Sequence, residues 1–516
     1  MNGADLACDA LLGNGVDTWF ANPGTSEMHL VAALDRRPQV RCVLGLFEGV
    51  VTGAADGYGR MADRPAATLL HCGPGLANGL ANLHNARRAR TPVVNIVGDH
   101  ASYHLPYDAP LTSDIESLAR PMSHWVGRAG SAETVRMMVD QACRAAAAPG
   151  VATLIMPADA AWGEVPPTST VPPSLAPARA RVASDAIDEA ARAMRASRNP
   201  LVLLGGTALR TDAMAAAAAL SRACPVRLLA EYGSARIERG GGRLAIETMP
   251  YPVDAAVTAL AQFDLIVCIG ATDPVAFFAY PGKPGRLAPP GCRTIELTAR
   301  GEDPGQAIRA LADCFDGRKC DLLAAPALPP MPAAGQLTGS AVAAITALLL
   351  PDNAIIARES VTQAAEFAQF AAGGAAHDLL SLTGGAIGMG IPLSIGAAVA
   401  CPDRKVICLQ ADGSGMYTCQ GLWTQAREQL DVVTVILANR TYAVLHNEMR
   451  QVGVGAIGRN ARRMLDIDDP ALNWVSLAQG MGVEGVRVDT TERFADILRT
   501  AIARPGPFLI EADISV

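Results

Sequence analysis

The chain is short of several things. No two of its 12 cysteines form a Cys-x-x-Cys pair and their spacing is irregular, so they predict small buried hydrophobes of a reducing compartment, not a disulfide framework. Basic excess is missing too: Lys and Arg total 43 against 50 Asp and Glu, a net charge of -7, which leaves no field to displace counterions from a nucleic-acid backbone. Nucleic acid is therefore not an expected partner. Met1-Asn2-Gly3-Ala4-Asp5 carries no basic region and Asp9 and Asn14 break the first apolar stretch, so no secretory signal is expected and the cytoplasm is the expected location. A clean membrane span is also lacking. The one long uncharged stretch, Leu379 to Cys401, is interrupted by glycines and by Pro392, and predicts a buried Gly-rich loop and helix. Gly205-Gly206 lacks the full Gly-x-Gly-x-x-Gly spacing, and a nicotinamide enzyme is a third option on that pair alone.

What is present is length and apolar mass. At roughly 150 residues per domain, 516 residues predict about three domains, and a composition that is 50% hydrophobic and 18% charged suits tightly packed α/β layers. Two Pro-rich stretches, 166–173 and 326–332, cannot continue a helix or a central strand and serve as linkers. Between them apolar runs such as Val93–Val97, Leu201–Leu204, Leu265–Ile269, Val406–Leu409 and Val432–Leu437 alternate with Ala-rich helical segments. That alternation predicts an α/β chain of three doubly wound parallel-sheet domains, spanning 1–165, 180–325 and 340–516.

Gln410-Ala411-Asp412-Gly413-Ser414-Gly415 follows a predicted strand, and a carboxylate at the carboxyl end of a parallel strand faces the crevice where such sheets bind ligands. Gly413 and Gly415 let the backbone approach a phosphate. A second strand then ends in Ala438-Asn439-Arg440-Thr441. Asp412, Asn439 and a carbonyl near Thr441 would offer hard oxygens to one Mg²⁺, although Asp-Gly and Asn-Arg-Thr are also ordinary turn chemistry. Upstream, the strand at Val43 runs into a helix that begins near Glu48, where a carboxylate also suits the helix dipole.

Ala411-Asp412-Gly413 through Ala438-Asn439 resembles the signature of thiamine-diphosphate enzymes, Gly-Asp-Gly followed about thirty residues later by Asn-Asn, with Ala411 and Ala438 departing from it. The resemblance implies Mg²⁺ ligands at Asp412, Asn439 and the Thr441 carbonyl, with Gly413 and Ser414 beside the cofactor. It also implies that Glu48 bonds a pyrimidine ring nitrogen. Asn22-Pro23-Gly24-Thr25-Ser26-Glu27 is similar to the turn that opens onto the active site, which puts Thr25 near substrate; as a bare sequence it is also a capped strand-to-helix turn. In Thr383-Gly384-Gly385-Ala386-Ile387-Gly388, Gly385 and Ile387 match the glycine carbonyl that accepts from the cofactor's amino group and the aliphatic wedge between its rings, while packing alone would also account for Ile387.

The similarity runs along nearly the whole chain and is to the acetolactate synthase and benzoylformate decarboxylase group. It implies a pyrimidine-binding, a central and a diphosphate-binding domain, and a 2-oxo acid substrate. It further implies a homodimer or homotetramer with active sites between subunits. Leu70-His71-Cys72-Gly73-Pro74-Gly75 points both ways: His71 matches the decarboxylases and serves as an acid–base group or as a structural strand-end histidine, while Gly-Pro-Gly is more like the synthases. Two family features are missing. The central stretch Asp273–Pro281 has no histidine and offers Tyr280 and aromatic surface instead, and no adjacent His-His pair occurs, since His100 and His104 stand apart. Decarboxylation with aldehyde release is the expected reaction, with carboligation the alternative and a non-catalytic relative disfavoured by Glu48. Acetolactate synthases can hold FAD in the central domain, which leaves a flavin open.

Overall fold

Strands four to seven residues long, most of them followed by a helical segment, build three sheets in the computed structural model, which describes residues 1–166, 179–316 and 326–514. In the first sheet β1 (Thr18–Asn22), β2 (Arg41–Leu44), β3 (Ala66–Leu70), β4 (Val93–Asp99), β5 (Trp125–Arg128) and β6 (Val151–Pro157) run parallel in the order β2-β1-β3-β4-β6-β5. The second holds β7 (Pro200–Leu204) and β8 (Arg227–Ala230). A short β9 (Arg236–Arg239) then leaves it before β10 (Leu265–Ile269) and β11 (Arg293–Glu296) complete the parallel order β11-β10-β7-β8. The third sheet comprises β12 (Ala354–Glu359), β13 (His377–Ser381), β14 (Val406–Ala411), β15 (Val432–Ala438), β16 (Glu484–Val488) and β17 (Phe508–Asp513), in the order β16-β17-β15-β14-β12-β13-β9. Parallel sheets across three domains are thus as expected.

β9 is the exception, an antiparallel edge strand that the central segment lends to the third sheet. Its sequence Arg-Ile-Glu-Arg carries one apolar residue, so periodicity gives no signal. Its place is held by Ile237 in the core and by Arg236, which bonds Asp378 of β13 and the backbone carbonyls of Arg60 and Met61. Pro326–Pro332 forms neither helix nor strand, and most of the first Pro-rich stretch lies outside the described residues.

Each sheet contains a point where consecutive strands are added on opposite sides: between β1 and β3, between β7 and β10, and between β12 and β14. Ligands of open α/β sheets bind at the carboxyl ends beside such reversals. The residues there are Asn22–Glu27 and His71 in the first sheet, Gly205 and Gly270 in the second, and Glu359 and Asp412 in the third.

The first and third domains are joined by two helices, Glu48–Ala62 and Gly390–Ala400. Small residues set how closely they approach. A Cβ on Gly57 would stand 2.1 Å from the Leu393 carbonyl oxygen, and one on Gly396 would stand 1.8 Å from that of Ala54. The buried Arg60 pairs with Asp56 and also donates to the Ser381 carbonyl (2.7 Å), tying the first domain to the end of β13. The uncharged stretch Leu379–Cys401 is the end of β13, a loop and the second of these helices, and no helix among the described residues is long and apolar enough to cross a membrane.

Candidate active site

The third-domain cluster grows from the ends of β14 and β15. Ala411 sits at φ -72°, an ordinary extended angle, and Asp412 begins the short helical turn that follows. The Asp412 carboxylate accepts from the Gly413 N–H (2.8 Å) and from the Arg440 N–H (2.7 Å), so the two strand ends meet through it. Only 3% of Asp412 is exposed and burial pushes its pKa up. The guanidinium of Arg440 is turned to Asp513. Among the described residues no cationic side chain bonds Asp412, and a buried negative charge held only by backbone donors suits a bound cation. At the end of β15 the Asn439 side-chain oxygen accepts, among the described residues, only from the Thr441 N–H at 3.3 Å. This donor set is hard oxygen, as Mg²⁺ requires. The Thr441 hydroxyl donates to Asp466, which His446 also bonds. Gly413 lies under the Tyr442 ring, where a Cβ would stand 2.6 Å from Cε1. Ser414 is spent on the fold: its hydroxyl bonds Gln410 (2.6 Å) and the Ala411 carbonyl (3.2 Å).

Next to this cluster the Thr383–Gly390 loop is pinned from both sides. Glu359, at the end of β12, accepts from the Gly388 and Gly390 N–H groups (2.6 and 2.5 Å), and its pKa is raised by burial. Asn82 and Asn85, on the Cys72–Arg88 helix of the first domain, bond the Gly388 and Ala386 carbonyls (3.3 and 2.7 Å). Gly385 adopts φ +79°, the left-handed region, and the Phe277 ring lies where its Cβ would be. Ile387 is half-buried. Sequence reasoning passed over Glu359; its only advance sign was a carboxylate at the carboxyl end of an apolar run.

The first-domain cluster sits at the ends of β1, β3 and β4. Glu48 opens its helix, 7% exposed, with one carboxylate oxygen accepting from Asn78 (2.9 Å). His71 caps the helix Cys72–Arg88, and its Nδ1 lies 2.8 Å from Glu27 Oε2 and 3.1 Å from Ser26 Oγ. Glu27 is fully buried. Thr25, singled out from the sequence, is exposed, and among the described residues its side chain makes no hydrogen bond; its neighbours Ser26 and Glu27 are the residues that meet His71. Cys72 Sγ is 3.2 Å from Ser26 Oγ, and burial pushes its thiol up to about 11. Among the described residues no hydrogen bond joins Glu48 or His71 to Asp412, Asn439 or Thr441.

Between the domains a cavity of about 540 Å³ is lined by Arg87, Arg90, Arg210, Thr383 and Gly384 among others. The central stretch without a histidine lies at its wall: Phe277 meets Phe278 edge to face and Tyr251 at a tilt, and Tyr280 donates to Glu448 (2.6 Å).

The sequence pattern of the thiamine pyrophosphate enzyme N-terminal binding domain matches residues 1–118, and that of the C-terminal binding domain matches residues 359–512. A Mycobacterium tuberculosis protein provisionally named an acetolactate synthase large subunit, IlvX, is 48% identical over 99% of this chain and 98% of its own. Benzoylformate decarboxylase of Pseudomonas aeruginosa is 29% identical over 96% of each chain. Among solved structures, the thiamine diphosphate-dependent 4-hydroxybenzoylformate decarboxylase of Rhodococcus jostii RHA1 superposes with a TM-score of 0.86 at 26% identity, covering 100% of this chain and 99% of that one. The flavin left open by the sequence gains no support from these matches.

Proposed function

Because the chain belongs to the thiamine pyrophosphate enzyme family, in its acetolactate synthase and benzoylformate decarboxylase group, we propose that it is a thiamine-diphosphate- and Mg²⁺-dependent decarboxylase of 2-oxo acids. The observation that carries this reading is His71, an imidazole held by a buried carboxylate at the carboxyl ends of the first sheet. Asp412, Asn439 and the Thr441 carbonyl would hold the metal, with Gly413 against the diphosphate; Gly385 and Ile387 would meet the two rings. The cofactor, when bound, supplies an electron sink beside the keto carbon, which is what lets carbon dioxide leave.

The chain's own residues then do three things. Glu48 holds a proton at a ring nitrogen through the oxygen that Asn78 leaves free. His71 moves a proton at its Nε2, to or from the substrate-derived part of the complex, and an imidazole can do both near neutral pH. The loop fixed by Glu359, Asn82 and Asn85 keeps Gly385 and Ile387 in place without reorganisation. In this reading Glu48 of one copy serves the Asp412 cluster of another, which makes the enzyme a homodimer or homotetramer.

Carboligation of the acetolactate synthase type is the second reading, favoured by the name of the 48% identical relative. A panel of pyruvate, branched-chain, aromatic and acidic 2-oxo acids, assayed for carbon dioxide and for aldehyde or acyloin, separates the two. Aldehyde is the expected product, and His71→Ala should lower turnover by about 10²-fold or more with cofactor affinity little changed. Acyloin as the main product would reassign the reaction, and wild-type turnover in His71→Ala would make the residue structural.

A further inference from the structure

Glu27 is a wholly buried carboxylate, and such a group is stable only if its oxygens are met by donors. Three donors meet it. Oε2 accepts from the Gly24 N–H (2.8 Å) and lies 2.8 Å from His71 Nδ1, and Oε1 accepts from the Ser26 hydroxyl (2.6 Å). A carboxylate has no hydrogen to give, so Nδ1 must carry the shared one. With its own hydrogen spent on Glu27, Ser26 Oγ can only accept, and what faces it is the Cys72 thiol at 3.2 Å and the same Nδ1–H at 3.1 Å. Every hydrogen in the cluster therefore runs toward Glu27. The lone pair of the neutral imidazole is left on Nε2.

Room for this arrangement is cut by two glycines. A Cβ on Gly98, in β4, would stand 1.7 Å from Glu27 Oε1, and a Cβ on Gly24 would stand 2.3 Å from the His71 ring. Neither glycine has a positive φ, so close approach and not backbone freedom is what each provides. One strand end and one turn have thus been kept free of side chains where the carboxylate and the ring meet.

We propose that Glu27 is a positioning residue: through Nδ1 it fixes the tautomer and orientation of His71, so that Nε2 is the nitrogen that exchanges protons with substrate, and Ser26 and Cys72 complete the hydrogen-bond order that holds Glu27 in place. The proposal rests on the reading of His71 as the acid–base group. A glutamine at 27 can still place its carbonyl oxygen at the Oε2 position and its amide nitrogen toward Ser26, keeping the tautomer, whereas an alanine cannot.

The test combines ¹⁵N spectra of histidine-labelled protein, in which the His71 signals are identified by their loss in His71→Gln, with steady-state kinetics on whichever 2-oxo acid the wild type turns over. Glu27→Ala should change the His71 ¹⁵N pair from a single Nδ1–H form to a mixture. It should also lower kcat by about 10²-fold, the scale of a lost acid–base contribution, with KM little changed, as expected for an interaction used in the transition state. Gly98→Ala should act in the same direction by displacing the carboxylate. Glu27→Gln should restore the single tautomer and recover much of kcat, and it guards against the alanine variant failing to fold. An unchanged His71 spectrum in Glu27→Ala and Gly98→Ala would overturn the proposal, as would wild-type kcat in both. A loss that appears only in KM would do so too. If no 2-oxo acid is turned over, the reading of the site fails, but the ¹⁵N spectra still decide whether Glu27 fixes the tautomer.

Discussion

The two carboxylate clusters, around Asp412 and around Glu27, are built on opposite electrostatic plans. Around Asp412 a desolvated carboxylate is met by backbone N–H groups alone, and its nearest cation, Arg440, is paired elsewhere with Asp513. Around Glu27 the carboxylate is saturated by a backbone N–H, a hydroxyl and an imidazole. The first plan leaves negative charge uncompensated and suits a metal ion; the second balances its hydrogen bonds internally and suits a proton. The chain thus surrounds a buried carboxylate in two ways, and what differs is whether the donors around it include an imidazole.

The largest way to break that contrast is to remove the uncompensated charge. Asp412→Ala should lower Mg²⁺-dependent affinity for thiamine diphosphate by more than about 10²-fold, beyond the upper end of what outer-shell changes cost at metal sites. The fold should persist, because the side chain bonds only two backbone N–H groups, at the ends of β14 and β15. Titration calorimetry with and without Mg²⁺ measures this, and equal affinity in the variant would mean that Asp412 is a turn residue.

Glu48→Gln sharpens the proton side. It should retain the cofactor yet slow exchange of the proton on the cofactor's thiazolium carbon by about 10²-fold or more, since an amide cannot share a proton as a carboxylate can. Hydrogen–deuterium exchange on the bound cofactor reads the effect directly. Unchanged exchange would return Glu48 to the role of a carboxylate at a helix end.

The smallest effect tests whether the two regions hold each other. Gly396→Ala places a methyl 1.8 Å from the Ala54 carbonyl oxygen, so the Glu48–Ala62 and Gly390–Ala400 helices must part. Overpacking of this kind costs about 1–3 kcal/mol, measurable as a lower denaturation midpoint. Stability equal to wild type would show that the helices can slide without loss.

The site was legible from sequence where it is local. Asp412, Asn439 and Thr441 lie at two strand ends, so an acid and an amide that follow apolar runs announce them; Glu48 stands in the first turn after a strand; and His71 follows an apolar run directly. Glu27 was quoted within its turn but given no role. Glu359 was not singled out, because a carboxylate acquires meaning only from donors that arrive from elsewhere in the chain. Gly98 gave no signal either, since what it avoids is a side chain 71 positions away in sequence.

The order of apolar runs, helices and strand-end glycines by itself determined three parallel α/β units, because period and length choose strand over helix locally and short connections make successive strands neighbours. Tertiary structure alone decided the rest. It sent β9 to the third sheet through ion pairs no periodicity encodes, set how closely two helices pack through the absence of a Cβ, and brought Glu27 to within 2.8 Å of His71. Those are contacts between distant segments, and their energies come from burial and mutual desolvation, which exist only once the chain has closed.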